Sequence, residues 1–559
     1  MGIYKYVPGY DFDEGIDFEH SPCWFLDGTH SLPAWTPMFG WFWSAWCSHG
    51  TQYATRALSI PTVKGWDWRL KDGCGYIRIL TVKDPDEIRR REEQFRDAIK
   101  PFISGFDEMW KTFVDEITGR YRKLRSLDLA EASNTQLLDC FEDTISTCRR
   151  MWEIHMYMMY GVYTAFTLLE DLTNRMFGIN DRSPEFCKLI SGFDNKSFQV
   201  DKGLFDLARK AKEMGFRDIF LSCPLEKLRE ILGASQDGRD FLNSFDEFIE
   251  NEAGWRMERM AEINVPTWWE DPTPAFNIIK IALGEDLGYS LDEKRQRQEI
   301  ERKAIEDELI GKITPEQRGW FQKILKLAQS CSRFSEEHNH YLDLYTHALI
   351  RRVTIEIGRR FASAGAIEVP EDIFFLIPDE VRKAGINPDL FNLRKVVERR
   401  KSDWQKWCKS EHPPILAREG FSVEEAAKML EESHDPLVMK VLVGSMPVQK
   451  PGLKADLFGT CGSPGFVEGK VKLAFTEKDL VKIEKGDILV APTTSPSWTP
   501  VFSLLKGIII DRGASLSHAA IVGREYGIPV LINVFDATKI LKDGMTVRLD
   551  ANMGSVLIL

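Results

Sequence analysis

The sequence predicts an α+β multidomain protein: a mainly helical region with an irregular N-terminal α/β part, followed by a small C-terminal β/β/α domain. Three observations predict this class. The chain has 559 residues, which is too long for one ordinary hydrophobic core. Long amphipathic periods fill its middle. Short alternating apolar segments, separated by glycine and proline, occupy its end.

The N-terminal part, residues 1–83, is rich in Gly, Pro and Trp and shows no long helical period. Within it, Tyr76–Val82 alternates as a strand does. The region 84–445 is predicted to be helical, and 446–456, with two prolines and a glycine, is predicted to be a linker. The helical periods are Asp86–Tyr121, Thr135–Leu172, Lys202–Met214 and Pro315–Ala362.

The last part, residues 457–559, is predicted to be a compact domain with one principal helix, from about His518 to Tyr526. Gly527 is placed to end this helix, and Pro529 to begin the next strand. The predicted strands are Gly469–Leu473, Asp487–Ala491, Gly507–Asp511, Pro529–Val534, Gly544–Asp550 and Ser555–Leu559.

Composition excludes several classes of function. The net charge is −12 and no dense Lys/Arg stripe occurs, which argues against a nucleic-acid partner. No apolar run approaches the roughly 20 residues that a membrane span needs. The ten cysteines are scattered, with neither CxxC pairs nor metal-binding spacing. We therefore expect reduced thiols, no bound metal and a cytoplasmic location.

The segment Gly507–Val530 carries the clearest chemical signal. A strand is predicted to end at Asp511, a loop of small residues follows, and the helix begins at His518. Unpaired amides and the positive end of the helix dipole favour an anion there. A neutral imidazole can attack phosphorus, and the hydroxyls of Ser515 and Ser517 could bind the phosphoryl group it receives. Spacing alone also allows a histidine that only caps the helix.

The same region resembles the phosphohistidine, or swivelling, domain of the phosphoenolpyruvate-utilising enzymes. The resemblance implies that His518 is phosphorylated and that the domain carries the phosphoryl group between two active sites by rotating on its linker. Ala514 departs from the pattern, because the family usually has a second glycine there. The matching pieces are Gly462–Gly469, Thr493–Pro500, Gly513–Val530 and Asp543–Asp550.

The whole chain resembles the large catalytic subunit of phenylphosphate synthases and, more distantly, the rifampicin phosphotransferases. The first resemblance implies that ATP and phenol give phenyl phosphate, AMP and phosphate. We recognise no ATP-grasp segment in residues 1–450, so we expect ATP and Mg²⁺ to bind a separate ATP-grasp subunit. The chain stops at Leu559 without the barrel of phosphoenolpyruvate synthases, which argues against enolpyruvate chemistry. The matching pieces are Trp24–Pro37, Gly254–Pro274, Ser335–Asp343 and Tyr345–Leu376.

An aromatic acceptor needs an apolar slot with a few polar groups. Five of the sixteen tryptophans lie between Trp24 and Trp46, and Trp24 and Trp41 are candidate lining residues. These aromatic side chains could equally form core. The base that helps the hydroxyl attack is expected to be a histidine. The candidates are His30, His155, His338 and His340.

Arginine is suited to the transferring phosphoryl group because its guanidinium can form two parallel hydrogen bonds. Arg256 and Arg351 are the candidates. Two other functions stay open at this point. The acceptor could be another hydroxylated compound, such as an antibiotic, or the protein could be a non-enzymatic phosphohistidine regulator that binds a partner protein.

Overall fold

A computed structural model describes residues 16–559, apart from 182, 285–290, 439–451, 453, 495 and 514–516. The chain divides into two compact units. Unit 1 contains the described parts of Met1–Thr164, Arg259–Val265 and Tyr341–Leu442, and unit 2 those of Ala165–Glu258, Pro266–His340 and Val443–Leu559. Each unit therefore combines distant segments, and neither coincides with one of the predicted domains. Most of the predicted linker, 446–456, lies outside the described residues.

Unit 1 contains a four-stranded antiparallel sheet. The hairpin formed by its first two strands in spatial order turns at Asp72 and Gly73. Both residues have positive φ, which matches the right-handed twist of the strands. The predicted strand at Tyr76–Val82 is confirmed within Cys74–Thr81. In spatial order the strands are Val63–Lys71, Cys74–Thr81, Cys23–Leu26 and Ile415–Ala417.

The helix Pro37–Ala57 fills the part of unit 1 for which no long helical period was expected, so that expectation is wrong. This helix is buried over most of its surface, and it therefore lacks the polar face that reveals a helix in a sequence. The carboxylate of Glu262 accepts hydrogen bonds from the backbone N–H and the hydroxyl of Thr36, at the helix N-terminus. A negative charge there stabilises the helix dipole.

The remaining helices of unit 1 carry the amphipathic patterns of the sequence. The period predicted over Asp86–Tyr121 is two helices, Pro85–Ala98 and Lys100–Arg125. The further α-helices are Asn134–Phe177 as far as Thr164, Tyr345–Ser363, Pro378–Ala384, Arg394–Trp407, Val423–Glu432 and Pro436–Val438, with 3₁₀ turns at Pro370–Phe375 and Pro388–Leu390.

Unit 2 begins with helices and ends with a β-rich domain. The period predicted over Pro315–Ala362 is interrupted by a π-helical turn at Asn339–Leu344, which divides it into two helices. The helical elements of unit 2 are the rest of Asn134–Phe177, then Pro184–Leu189, Lys196–Glu213, Arg217–Ser222, Leu225–Lys227, Leu228–Gly233, Gln236–Phe248, Ile249–Ala253, Thr273–Gly284, Leu291–Gly311 and Pro315–His338.

The C-terminal domain is an eight-stranded mixed sheet with four parallel strands at its centre. All six predicted strands and the predicted helix are confirmed, so the predicted fold class holds. Short helices also occur at Glu477–Lys482, Pro496–Leu504 and Ala537–Ile540. In spatial order the strands are Leu457–Phe458, Ser555–Ile558, Thr546–Asp550, Phe466–Leu473, Ile488–Ala491, Gly507–Ile510, Val530–Ile532 and Thr460–Ser463.

Two general expectations can be compared with the structure. Among the described helices, none is both long enough and apolar enough to cross a bilayer. All ten cysteines lie in the described part of the chain, and none of them forms a disulfide.

Candidate functional site

His518 is the first residue of the helix His518–Tyr526, which connects two adjacent parallel strands. Ser517 precedes it in an extended conformation, and Gly527 ends the helix with a φ of 62°. The helix N-terminus therefore lies beyond the carboxyl end of the strand Gly507–Ile510, where open α/β sheets bind ligands. The first backbone amides of the helix have no partner within it and are available to an anion.

Two hydrogen bonds hold Asp511 and Gly513, at the described start of the loop before His518. The Gly513 N–H donates to Oδ1 of Asn533 at 2.9 Å, and the Thr538 N–H donates to Oδ1 of Asp511 at 2.9 Å. The hydroxyl of Ser517 has no hydrogen-bond partner among the residues that the structure describes, so it is available to a phosphoryl group. Ser515, the other predicted hydroxyl, lies outside those residues, as does Ala514.

Glu336 faces His518 from the helix Pro315–His338. Its Oε2 lies 3.6 Å from Nδ1 of His518, and both side chains are almost fully buried. Neither carboxylate oxygen of Glu336 has a hydrogen-bond donor in the described part of the chain. A carboxylate beside Nδ1 favours the tautomer that carries its proton there. The other ring nitrogen, Nε2, then keeps its lone pair and could act as a nucleophile.

Arg256 forms a buried ion pair next to this histidine. Its Nη1 donates to Oδ1 of Asp201 at 2.9 Å, and the hydroxyl of Tyr526, on the His518 helix, donates to Oδ2 at 3.4 Å. Burial raises the pKa of Asp201, while the charges of Arg256 and His518 oppose that rise. Arg256 is thus held by a carboxylate in the interior.

A contact between an amide and an acid also joins the His518 helix to the helical part of unit 2. Asn195 donates to the carboxylate of Glu525, and burial raises the pKa of Glu525 well above its ordinary value. Arg524, also on the His518 helix, donates to the carbonyl of Gly462 at 2.7 Å. These contacts, with that of Asp201, fix the position of the helix that presents His518.

Unit 1 contains a group of neighbouring histidines. Oδ1 of Asp27 lies 2.8 Å from Nδ1 of His30, and Oδ1 of Asp343 lies 3.1 Å from Nδ1 of His155. Burial lowers the pKa of His30, but the charge and hydrogen bond of Asp27, aided by Asp343, leave it above its ordinary value. Both histidines contact indole rings. The ring of His30 lies 5.0 Å from that of Trp43, and His155 stacks on Trp152 at 4.7 Å.

His347 lies in the same group and was not among the predicted bases. It lies in the first turn of the helix Tyr345–Ser363 and is fully buried. Its ring is 5.1 Å from that of Phe39 and 6.3 Å from that of Trp43. Its Nδ1 lies 2.8 Å from the carbonyl oxygen of Met260. A histidine within an apolar helical period has no local signature. The position of His347 in the family-like segment Tyr345–Leu376 is the signal that could have identified it as a candidate base.

The two predicted lining tryptophans are both buried in unit 1. Trp24 packs in the core beneath the sheet, and its indole N–H donates to the carbonyl of Asp17 at 2.8 Å. Trp41 lies on the helix Pro37–Ala57, with its ring 5.5 Å from that of Phe42. Their role as substrate-binding residues stays a prediction.

The remaining predicted residues are found in both units. In unit 2, His338 contacts the carbonyl of Phe334 through Nδ1 at 3.2 Å, and His340 packs against Trp255, with its pKa lowered well below the ordinary value by burial. In unit 1, Arg351 is buried and donates to the carbonyl of Ile263 at 2.8 Å. The structure thus groups His518, Ser517 and Arg256 in unit 2, and His30 and His155 in unit 1.

Two family comparisons match parts of this arrangement. Residues 483–554, which contain His518, match the family described as PEP-utilising enzyme, mobile domain. Residues 153–336, which contain Asp201, Arg256 and Glu336, match the family described as rifampicin phosphotransferase fourth domain. The predicted resemblance to these two families is confirmed, and the resemblance to phenylphosphate synthase stays a prediction.

Similarities to individual proteins agree with the two family matches. The chain is 28% identical over 78% of its length to an uncharacterized phosphotransferase, YvkC, of Bacillus subtilis, and covers 51% of that protein. It is 24% identical over 58% of its length to a rifampicin phosphotransferase of Bacillus cereus, covering 35% of it. Over 18% of its length it is 46% identical to a probable phosphoenolpyruvate synthase of Archaeoglobus fulgidus, covering 14% of it. The chain thus spans about half, or less, of these relatives.

Proposed function

We propose that this chain is part of a phosphotransferase in which Nε2 of His518 receives a phosphoryl group and passes it to the hydroxyl of a small organic acceptor. The observation that carries this proposal is the buried imidazole at a helix N-terminus, with Glu336 beside Nδ1. Its location in a segment that matches the mobile-domain family gives independent support.

The proposed chemistry has two steps. In the first, the lone pair of Nε2 attacks phosphorus, an N–P bond forms, and the P–O bond to the donor's leaving group breaks. In the second, the acceptor oxygen attacks the same phosphorus, the N–P bond breaks, and the hydroxyl proton passes to a base. The helix amides and the Ser517 hydroxyl bind the phosphoryl oxygens in between. We also propose ATP with Mg²⁺, on a separate ATP-grasp subunit, as the donor.

The support for a general class of acceptor is stronger than the support for any single compound. Relatives named rifampicin phosphotransferase favour a hydroxylated small molecule, of which an antibiotic is one example. Phenol is the narrower candidate, and the concentration of buried tryptophans in unit 1 is compatible with it. A regulator that passes the group only to another protein is the alternative outcome of the test below.

The experiment loads the full chain directly, so that it does not depend on a partner. Potassium phosphoramidate phosphorylates accessible histidines, and acid-labile, base-stable phosphate is then located by mass spectrometry. We expect it on His518 and expect its loss in His518→Gln. His412→Gln is the matched control, because a glutamine amide can replace the contact of His412 Nε2 with the Trp407 carbonyl.

The loaded protein is then mixed with phenol, catechol or rifampicin, and the phosphorylated acceptor is measured by liquid chromatography. Acceptor-dependent discharge supports the proposal. If His518 cannot be loaded, or if none of the hydroxylated acceptors accelerates its discharge above hydrolysis, the proposed function is wrong.

A further inference from the structure

The tautomer of His347 follows from a single contact. A carbonyl oxygen can only accept a hydrogen bond, so the 2.8 Å contact with Met260 places a proton on Nδ1 of His347. In a neutral imidazole this leaves Nε2 with a free lone pair. Burial lowers the pKa of His347, with Asp343 and the Met260 carbonyl opposing and His155 adding to that decrease, so the neutral form prevails near pH 7.

Three buried polar atoms of His347 and its aromatic neighbours make no hydrogen bond in the described part of the chain. Nε2 of His347 and the indole N–H groups of Trp43 and Trp152 are buried, and none of them makes a hydrogen bond there. The ring of Trp43 lies 5.0 Å from that of Trp152 and 6.3 Å from that of His347. Buried donors and acceptors are rarely left unsatisfied, so three in one cluster require an explanation.

A bound hydroxyl compound would satisfy these groups. Its O–H can donate to Nε2 of His347, and its oxygen can accept from an indole N–H. The nearby acids Asp27 and Asp343, which shift the pKa of His30 upward, disfavour an anionic compound. The aromatic walls of Trp43, Trp152 and Phe39 suit an uncharged, flat one.

We infer that His347 is the catalytic base of the transfer step, and that the acceptor hydroxyl binds among His347, Trp43 and Trp152. This inference rests on the proposed function. As the acceptor oxygen attacks the phosphoryl group of His518, its proton moves to Nε2 of His347, and the N–P bond breaks. The imidazolium that forms is stabilised by the charge of Asp343 until its proton returns to solvent.

The environments of His30 and His155 explain why His347 takes this role. His30 and His155 each direct Nδ1 at a carboxylate. Asp27 raises the pKa of His30 against the effect of burial, which favours its protonated form, and a protonated imidazole cannot accept a proton. His347 instead directs Nδ1 at a neutral carbonyl, which fixes the ring without holding a positive charge on it.

The test uses the full chain loaded on His518 with phosphoramidate and the variant His347→Asn. The asparagine amide can occupy the position of Nδ1 and keep the hydrogen bond to Met260, while the Nε2 lone pair is lost. We expect unchanged loading, unchanged quenching of tryptophan fluorescence by phenol, and discharge to phenol slower by about 10²–10⁴-fold. His412→Gln serves as the control with wild-type rates.

The possible outcomes separate the two proposals. A His347→Asn protein that discharges at the wild-type rate overturns the role of His347 and leaves the proposed function standing. A wild-type protein that loads but never discharges to an acceptor overturns the proposed function.

If His347→Asn does not fold, the pH profile of wild-type discharge decides, after subtraction of hydrolysis without acceptor. If the pKa of the base is lowered, the rate stays unchanged as the pH is decreased through the ordinary histidine pKa of about 6.5. A rate that already falls above this pH overturns the assignment.

Discussion

His518 and His347 show how two surroundings give one side chain different chemistry. His518 begins a helix, next to free amides that favour an anion, and a carboxylate lies beside its Nδ1. His347 lies among aromatic rings, with its Nδ1 bound to a carbonyl. The first setting suits a nucleophile that must hold a phosphoryl group. The second suits a neutral base, because burial lowers the pKa of the ring although the charge of Asp343 opposes that decrease.

The same contrast applies to two buried arginines. In unit 2, Arg256 is neutralised by the carboxylate of Asp201, whereas in unit 1 Arg351 donates to the carbonyl of Ile263 and lies over the ring of Phe374. Arg256 therefore contacts a carboxylate, while Arg351 contacts a carbonyl dipole and an aromatic ring.

The largest effect is expected for Arg256→Met. Removing the guanidinium leaves Asp201 as an uncompensated buried charge, which costs about 3–5 kcal/mol of the free energy of unfolding. Arg351→Met, which removes the hydrogen bond to the Ile263 carbonyl, should cost about 1–3 kcal/mol. Urea unfolding followed by circular dichroism measures both values. Equal losses would show that the two regions do not differ in this way.

Gly50→Ala should come next. A Cβ built on Gly50 would lie 2.6 Å from the backbone oxygen of Trp152, so the helices that carry Trp43 and Trp152 would have to separate. We expect a loss of about 1–3 kcal/mol and weaker fluorescence quenching by phenol. Gly119→Ala, where the new methyl group meets nothing within 4 Å, is the control and should be neutral or slightly stabilising. A Gly50→Ala protein as stable as that control would contradict the close approach.

Glu336→Gln tests how the ring of His518 is positioned. Without the carboxylate, the Nδ1–H tautomer loses its preference, and loading of His518 by phosphoramidate should slow by about 10–100-fold. Nitrogen chemical shifts of His518 would report the change in tautomer, which a purely structural role of Glu336 would not produce. Glu336→Asp should restore part of the rate. Glu316→Gln, at an exposed position of the same helix, should load normally.

The smallest effect is expected in the pH dependence of stability. Because burial raises the pKa of Glu525 well above 4.5, the folded protein retains that proton at pH values where the unfolded chain has released it. The contribution of Glu525 to stability is therefore lost as pH rises from about 4.5 upward. Glu525→Gln should flatten this decline in urea titrations between pH 4 and 8, and Glu431→Gln, at an exposed position, should not.

The C-terminal domain was predictable because its signals are local. Gly527 and Pro529 mark the turn after the His518 helix, and the short strands alternate between apolar segments and turns. The helix Pro37–Ala57 was not predictable from periodicity, because nearly all of its faces are buried. Long amphipathic periods gave the other long helices, but not the π-helical turn that divides one of them.

Of the residues near His518, sequence analysis named Ser517, in the same contiguous motif, and Arg256, in the family-like segment Gly254–Pro274. Glu336 and Asp201 come from helices far from His518 in sequence, and no local pattern shows that their carboxylates lie near it. The predicted His30 does contact the aromatic cluster, but His347 was missed, because a buried base and an ordinary core histidine leave the same trace in a helical period.

The interleaved order of the segments limits how this protein can be divided. The short stretch Arg259–Val265 belongs to unit 1, although the chain on both sides of it belongs to unit 2. That stretch supplies Glu262, whose carboxylate binds Thr36 at the start of a helix. No single cut therefore releases either unit intact, and a circular permutant would have the same difficulty. Proteolysis should yield nicked protein that stays assembled rather than two separate fragments.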